Sequence, residues 1–177
     1  LMPGGGAYNG VGYVCQEDLD NTAQRPVDQL IDNPQKRFEA LHNEFVASAK
    51  TVIEGHKINP DFMIENIICG ITFYPAICDP ADILANEHKW QSGIYYCCDV
   101  QAKGKYGTYA KRLWKEHNVE LYIIEEDLED LKRGTVDMYT FSYYMSNNVT
   151  THTGGEQVSG NFSADAKNSY LTYSDWG

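Results

Sequence analysis

The sequence predicts an α/β protein with a parallel sheet. Two runs, at residues 67–73 and 136–143, are rich in the β-branched and aromatic residues that favour buried strands. The segments before and between them carry helix-start dipeptides and apolar residues at helical spacing. Strands that alternate with helices are typical of βα units, in which neighbouring strands run parallel. Ligands of such folds collect at the carboxyl ends of the strands.

Composition limits the function classes. The chain has 177 residues, which suits one domain, and 42% of them are hydrophobic, as in a globular protein. Its net charge of −11 argues against nucleic acid and against an anionic membrane surface as partners. No apolar run approaches the ~20 residues of a membrane helix. We therefore expect neither a nucleic-acid partner nor a membrane partner.

Cysteine and histidine spacing gives no support for a metal or cofactor site. The cysteines are odd in number and contain no C-x-x-C pair: Cys15, Cys69, Cys78, Cys97 and Cys98. No H-x-x-x-H, phosphate-loop or dinucleotide fingerprint is present. We expect no metal and no cofactor, and unpaired cysteines fit a reducing cytoplasm best.

The first predicted helix begins at Asn33-Pro34, because Asn caps helices and Pro suits their first position. Apolar residues then recur at helical spacing from Phe38 to Ile53, and Gly55 is expected to end the helix. The first strand follows at residues 67–73.

A second helical region is predicted to begin at Asp79-Pro80 and to break at Gly104 or Gly107. We expect six residues on its buried side: Ile83, Leu84, Trp90, Ile94, Tyr95 and Cys98. A further helix is predicted around residues 109–114.

Three more elements follow along the chain: a short strand, a short helix and the second main strand. Residues 119–124 predict a short strand, and residues 125–133 a short helix that Gly134 ends. This helix has acids at its start and bases at its end, as the helix dipole favours. The second main strand, residues 136–143, comes next.

Polar groups follow both main strands, at residues 72–75 and 142–148. Tyr143, Tyr144, Asn147 and Asn148 offer hydroxyls, amides and aromatic faces, which suit the rim of a sugar site. The alternative is a turn whose tyrosines cover the core. The pattern alone leaves both interpretations open.

The acidic residues are weaker candidates for catalysis. Glu44 and Glu87 each follow an asparagine but fall inside predicted helices, where a glutamate usually faces solvent. Glu65 precedes its strand, at the end opposite to the one where ligands bind. The acidic run at residues 125–130 predicts an exposed helix face.

Four blocks together resemble glycoside hydrolase family 1 and its 6-phospho-β-glucosidase branch. They are "HNEFVASAK" (42–50), "DVQAKGKYGTYAKR" (99–112), "VDMYTFSYY" (136–144) and "NSYLTYSDWG" (168–177). The resemblance implies part of a (β/α)8 TIM barrel, with residues 67–73 as strand five and 136–143 as strand six. Residues 1–34 would be the loop leaving strand four, and residues 35–177 the central βα units of an incomplete barrel.

The resemblance also implies a reaction and a substrate. Members hydrolyse β-glycosides with retention, using two glutamates about 5–5.5 Å apart. Their motifs end strands four and seven, and neither occurs here at a matching place, so we expect the chain to be inactive alone. The implied partner is a phosphorylated β-glucoside, whose phosphate is held near strand eight.

Four residues are implied to serve that site. By motif, Tyr144 hydrogen-bonds the absent nucleophile, and Tyr143, Ser142 and Trp176 contact substrate. Ser142 stands where many members have Asn.

Two other functions stay open. One is a non-catalytic sugar-binding or scaffold half-barrel that assembles with another chain, or with itself through exposed strand edges. The other is an unrelated α/β enzyme with Cys78 as nucleophile.

Overall fold

A computed structural model describes residues 33–153, 155, 157–159 and 164–168. Most of the predicted loop at residues 1–34, together with Trp176, lies outside the described residues. The described part contains six helical segments around a two-stranded parallel sheet, together with a short antiparallel strand pair. None of the helices in these ranges is long and apolar enough to cross a membrane.

Helix α1 spans Pro34–Ile58 and begins where the sequence predicts, with the side chain of Asn33 accepting a hydrogen bond from Lys36 N at 3.2 Å. The predicted end at Gly55 is wrong, because the helix continues to Ile58. A glycine inside a helix costs only about 1 kcal/mol relative to alanine. Here it makes room for Ile64, whose Cδ1 lies 2.6 Å from the place where a Cβ would stand.

Helix α2 spans Pro80–Trp90, a π-helical turn spans Gln91–Tyr95, and helix α3 spans Tyr96–Lys103. The predicted start is confirmed, since Asp79 caps α2 by accepting from Ala81 N at 2.8 Å. Gly104 ends α3 with a positive φ of 65°, a conformation that glycine adopts without strain.

The predicted buried side of this region is wrong at Ile83 and Leu84, which are 50% and 56% exposed, and at Tyr95, which is 38% exposed. Asp82, by contrast, is fully buried. Further along, Tyr96 and Val100 enter the core. A single 3.6-residue phase does not describe both parts, because the π turn shifts the phase of the helix between them.

Helices α4, Ala110–Glu116, and α5, Glu125–Arg133, are confirmed, and Gly134 follows α5. The strand predicted at residues 119–124 is wrong, because no described strand pairs with it. The Gln35 side chain takes the place of a strand neighbour: its Oε1 accepts from Glu120 N at 3.0 Å and its Nε2 donates to Glu120 O at 2.9 Å.

The sheet pairs β1, Glu65–Pro75, with β2, Met138–Val149, in parallel, which confirms the predicted fold class. Both strands are longer than predicted, so the polar residues after Tyr143 belong to β2 rather than to a turn. Strands β3, Gln157–Ser159, and β4, Ala164–Ala166, form an antiparallel pair.

The core lies between one face of the sheet and the helices. Phe38 of α1 meets Tyr96 of α3 edge to face, with ring centroids 5.7 Å apart. On the sheet, Ile68 packs against this core and Asn66 donates to Gln101 of α3 at 2.7 Å. Ile67, which points the opposite way, is 59% exposed. Around residues 66–68 one sheet face is therefore covered by helices, and the opposite face, which we call the open face, exposes Ile67.

Candidate functional site

The carboxyl-terminal halves of β1 and β2 are joined by side-chain hydroxyls. The Tyr143 hydroxyl lies 2.8 Å from Ser146 Oγ, and Ser146 Oγ lies 2.8 Å from Thr72 Oγ1 on the neighbouring strand. Tyr143 is nevertheless 60% exposed. Its ring is therefore held at one end while a large part of its surface remains available to a ligand.

A β-bulge lies at the predicted site. Gly70 is opposite Tyr143 and Ile71 is opposite Met145, so Tyr144 is the extra residue of β2. Bulges bend a strand locally and redirect side chains, and they are frequent beside active sites. The backbone of Tyr144 belongs to β2, whereas its side chain lies outside the described residues.

Ser142 lies opposite Cys69 and is partly buried. Tyr139, three positions earlier, lies opposite Asn66, whose side chain donates to Gln101 of α3, so Tyr139 lies on the helix face of the sheet. Since side chains alternate along a strand, Ser142 belongs to the opposite, open face, whereas Tyr143 belongs to the same face as Tyr139. The two predicted substrate contacts are therefore neighbours on one strand with side chains on opposite faces, and Trp176 lies outside the described residues.

The asparagines at the end of β2 differ in burial. Asn148 is 8% exposed, and its Oδ1 accepts a hydrogen bond from Asn168 Nδ2 at 3.0 Å. Asn147 is partly buried. Asn148 therefore connects the strand tip to a later segment of the chain, which is a structural use of a residue predicted to lie on a sugar rim.

Asp82, which the sequence analysis did not single out, hydrogen-bonds the two threonines that directly follow β2. Asp82 Oδ1 accepts from Thr151 N at 2.6 Å, from Thr151 Oγ1 at 2.9 Å and from Thr150 Oγ1 at 3.3 Å. The hydrogen bond from the Thr151 backbone is the main cause that holds the pKa of Asp82 below its ordinary value. No local signal marks this contact, because an acid in the first turn of a helix is common for dipole reasons.

The weak acidic candidates lie where the sequence predicts. Glu44 and Glu87 are exposed on helices α1 and α2. Glu65 is the first residue of β1 rather than a residue before it, and it is also exposed. It stands at the amino end of the strand, away from the hydroxyl chain of Tyr143 and Ser146.

The described ranges contain no group of three or more His, Cys, Asp or Glu residues that would hold a metal ion. Cys97 is buried, and burial raises the pKa of its thiol to about 12, which makes it unreactive. Cys78 is exposed after β1, and no described histidine hydrogen-bonds it. The structure thus gives the cysteine alternative no base.

Comparison with known proteins identifies relatives of this arrangement. The model of glycosyl hydrolase family 1 matches residues 9–177. A 6-phospho-beta-glucosidase of Clostridium longisporum is 41% identical over 144 residues, which are 81% of this chain and 30% of that protein. The aryl-phospho-beta-D-glucosidase BglH of Bacillus subtilis is 41% identical over 143 residues, with 79% and 30% covered. The chain thus spans under a third of the length of these relatives.

Solved structures share the fold. The virulence factor SghA from Agrobacterium tumefaciens superposes with a TM-score of 0.63 at 19% identity, over 84% of this chain and 33% of that one. The GH1 beta-glucosidase from Exiguobacterium antarcticum gives a TM-score of 0.59 at 19% identity, with 80% and 30% covered. The two parallel strands and their helices are therefore a part of a TIM barrel, as predicted.

Proposed function

Because the chain belongs to glycosyl hydrolase family 1, we propose that it forms the central part of a retaining β-glycosidase that hydrolyses 6-phospho-β-glucosides. The observation that carries this proposal is the 41% identity over 144 residues to a 6-phospho-beta-glucosidase. The solved relatives at 19% identity support the barrel but say nothing about the phosphate. The substrate class therefore rests on the sequence relatives.

In this proposal β1 and β2 are barrel strands five and six, and β2 presents the reactive side chains. Tyr144 donates a hydrogen bond to the nucleophilic glutamate and favours its ionised form. The bulge at Tyr144 supports this role, because an extra residue changes the direction of a side chain at a defined point of the strand. Ser142, two positions earlier, contacts the sugar, and Tyr143, on the other face of β2, contacts it from the strand end through its exposed ring. Trp176 lies near the substrate entrance.

The two catalytic glutamates belong to barrel strands four and seven, outside residues 1–177. The chain by itself is therefore inactive, and its acidic balance does not conflict with an anionic substrate because the phosphate is bound near strand eight. A cytoplasmic location fits Cys69, Cys78 and Cys98, which form no disulfide.

The proposal is tested with a chimera. Residues 34–177 replace the corresponding segment of the Clostridium longisporum 6-phospho-beta-glucosidase, which retains that enzyme's glutamates and phosphate site. We expect the chimera to hydrolyse p-nitrophenyl 6-phospho-β-D-glucoside and the isolated chain to give no turnover. A folded chimera without activity, or an active isolated chain, contradicts the proposal.

A second candidate is the half-barrel that assembles with another chain. The open sheet face favours it: Ile67 is 59% exposed and Met138 is 44% exposed. Sedimentation velocity over a range of concentrations tests this candidate. A stable monomer at all concentrations counts against self-association.

A further inference from the structure

Helix α2 carries two buried oxygen atoms with no hydrogen-bond partner in the described part of the protein. They are Asp82 Oδ2 and Asn86 Oδ1. Residues four apart lie on the same face of a helix, with Cβ atoms about 5–6 Å apart. Buried polar groups are paired in nearly all native structures, so two acceptors side by side indicate a ligand that offers positive charge or donors.

The charge of Asp82 has no direct cationic partner in the described ranges. Asp82 is fully buried, and no described lysine or arginine pairs with it. Among the described residues, the basic side chain that acts on it electrostatically is His152, which is 56% exposed and pairs with Asp79 at 3.4 Å. All three hydrogen bonds that Asp82 accepts go to Oδ1. Asp82 Oδ2 receives none of them.

The available atoms are oxygens of the kind that hard cations prefer. Asp82 supplies a carboxylate and Asn86 an amide carbonyl. The hydroxyl oxygens of Thr150 and Thr151 use their hydrogens on Asp82 Oδ1 and keep lone pairs. A single carboxylate balances one positive charge, whereas a divalent ion leaves a buried excess charge that is costly.

We propose that Asp82 and Asn86 bind a monovalent alkali cation, sodium or potassium, where helix α2 meets the end of β2. Such a site needs few acidic ligands, which agrees with the absence of a three-residue metal cluster from the described ranges. A single water molecule satisfies the two acceptors but leaves the negative charge of Asp82 without a counter-charge. The cation joins α2 to the segment that directly follows β2.

The test compares the melting temperature of the whole chain in sodium chloride, potassium chloride and choline chloride at equal ionic strength. Choline is too large for a buried site, so it controls for general screening. A cation present at about ten times its dissociation constant raises the melting temperature of a protein of this size by roughly 3–6 °C. Equal melting temperatures in all three salts overturn the proposal and leave an ordered water only.

Variants of Asp82 and Asn86 test whether the difference in melting temperature between the salts comes from this site. Asn86→Ala removes one ligand, keeps the carboxylate and its threonine contacts, and suits a helix. Asp82→Asn removes the charge. Both variants are expected to lose at least two thirds of the difference between the salts. The matched control is Asp79→Asn, which removes a charge from the same turn but keeps a good capping residue.

The control variant Asp79→Asn is expected to retain the full difference in melting temperature between the salts. A difference that survives in Asn86→Ala contradicts the assignment even if Asp82→Asn does not fold. Broadening of the 23Na resonance, reversed by added potassium and absent in Asn86→Ala, gives a readout that does not depend on stability. Unchanged line width in the wild-type chain contradicts a sodium site.

Discussion

Replacing Tyr106 by phenylalanine tests a hydrogen-bond chain inside the helical layer. His42 is 5% exposed, and its Nδ1 lies 2.7 Å from the Tyr106 hydroxyl while its Nε2 lies 3.2 Å from Asp127 Oδ2. The Tyr106 ring also packs against that of Tyr96, with ring centroids 5.4 Å apart, and the Tyr96 hydroxyl accepts from Trp114 Nε1 at 2.9 Å. Tyr106 and His42 thus connect helix α1 to helix α5.

The carboxylate end fixes the direction of the donors. An ionised Asp127 only accepts, so His42 donates to it through Nε2. His42 Nδ1 carries no hydrogen in that tautomer and therefore accepts from the Tyr106 hydroxyl.

Tyr106→Phe keeps the ring and removes the hydroxyl. The buried His42 Nδ1 then loses its hydrogen-bond donor. A buried polar atom left without its partner costs about 1–3 kcal/mol, so the free energy of unfolding is expected to fall by that amount. At this chain length the melting temperature falls by about 2–4 °C per kcal/mol.

Urea unfolding followed by far-ultraviolet circular dichroism measures the effect. The matched control is Tyr122→Phe, the same chemical change at a side chain that is 86% exposed, with an expected effect within about 0.5 kcal/mol. Equal effects of the two variants refute the reasoning, because the buried hydroxyl then contributes no more than a solvated one.

Two further predictions concern close packing and acid stability. Gly134→Ala places a Cβ against the backbone of Ala49 in α1, so we expect a loss of about 1–3 kcal/mol, whereas Gly155→Ala, with open space around it, is neutral in the same urea assay. An equal loss in both contradicts the close contact. The hydrogen bond from Ile64 N is the main cause that holds the pKa of Asp137 below its ordinary value of 3.8. Because the pKa of Asp137 is lower in the folded protein than in the unfolded one, its carboxylate stabilises the fold at pH values above the unfolded-state pKa. This stabilisation is lost as the pH falls through the folded-state pKa. The melting-temperature difference between wild type and Asp137→Asn therefore shrinks between pH 6 and pH 3, and a constant difference contradicts this.

Elements with local signals could be predicted from the sequence. The starts of α1 and α2 follow from Asn33 and Asp79, whose side chains cap the helices within three residues along the chain. The end of α3 follows from Gly104, since a left-handed residue there favours glycine. In each case the residue and the backbone group that it satisfies are close neighbours in sequence.

Elements that depend on partners distant in sequence could not be predicted from the sequence. Residues 119–124 have strand composition, but the backbone of Glu120 is bonded by Gln35, 85 positions earlier. Asp82 is buried and is bonded by Thr151, 69 positions later. Neither partner is marked by any local pattern.

The same distinction applies to the site. Ser142 and Tyr143 could be placed on a strand because strand composition is local. The bulge at Tyr144 depends on the register against Gly70 and Ile71 of β1, which only the folded pair defines. The role of Tyr144 came from resemblance to a family, not from the pattern of its own strand.

Kinetics of Tyr144→Phe in the chimera test the central proposal most directly. A hydrogen bond to a charged group contributes about 1.5–3 kcal/mol, so kcat for the 6-phospho-β-glucoside is expected to fall about 10- to 150-fold. Loss of the donor also raises the pKa of the nucleophile, which moves the acid limb of the rate profile to higher pH. Tyr143→Phe is expected to act mainly on KM, and Tyr122→Phe on neither constant. A Tyr144→Phe chimera with unchanged kcat and an unchanged acid limb contradicts the assignment of Tyr144 as the partner of the nucleophile.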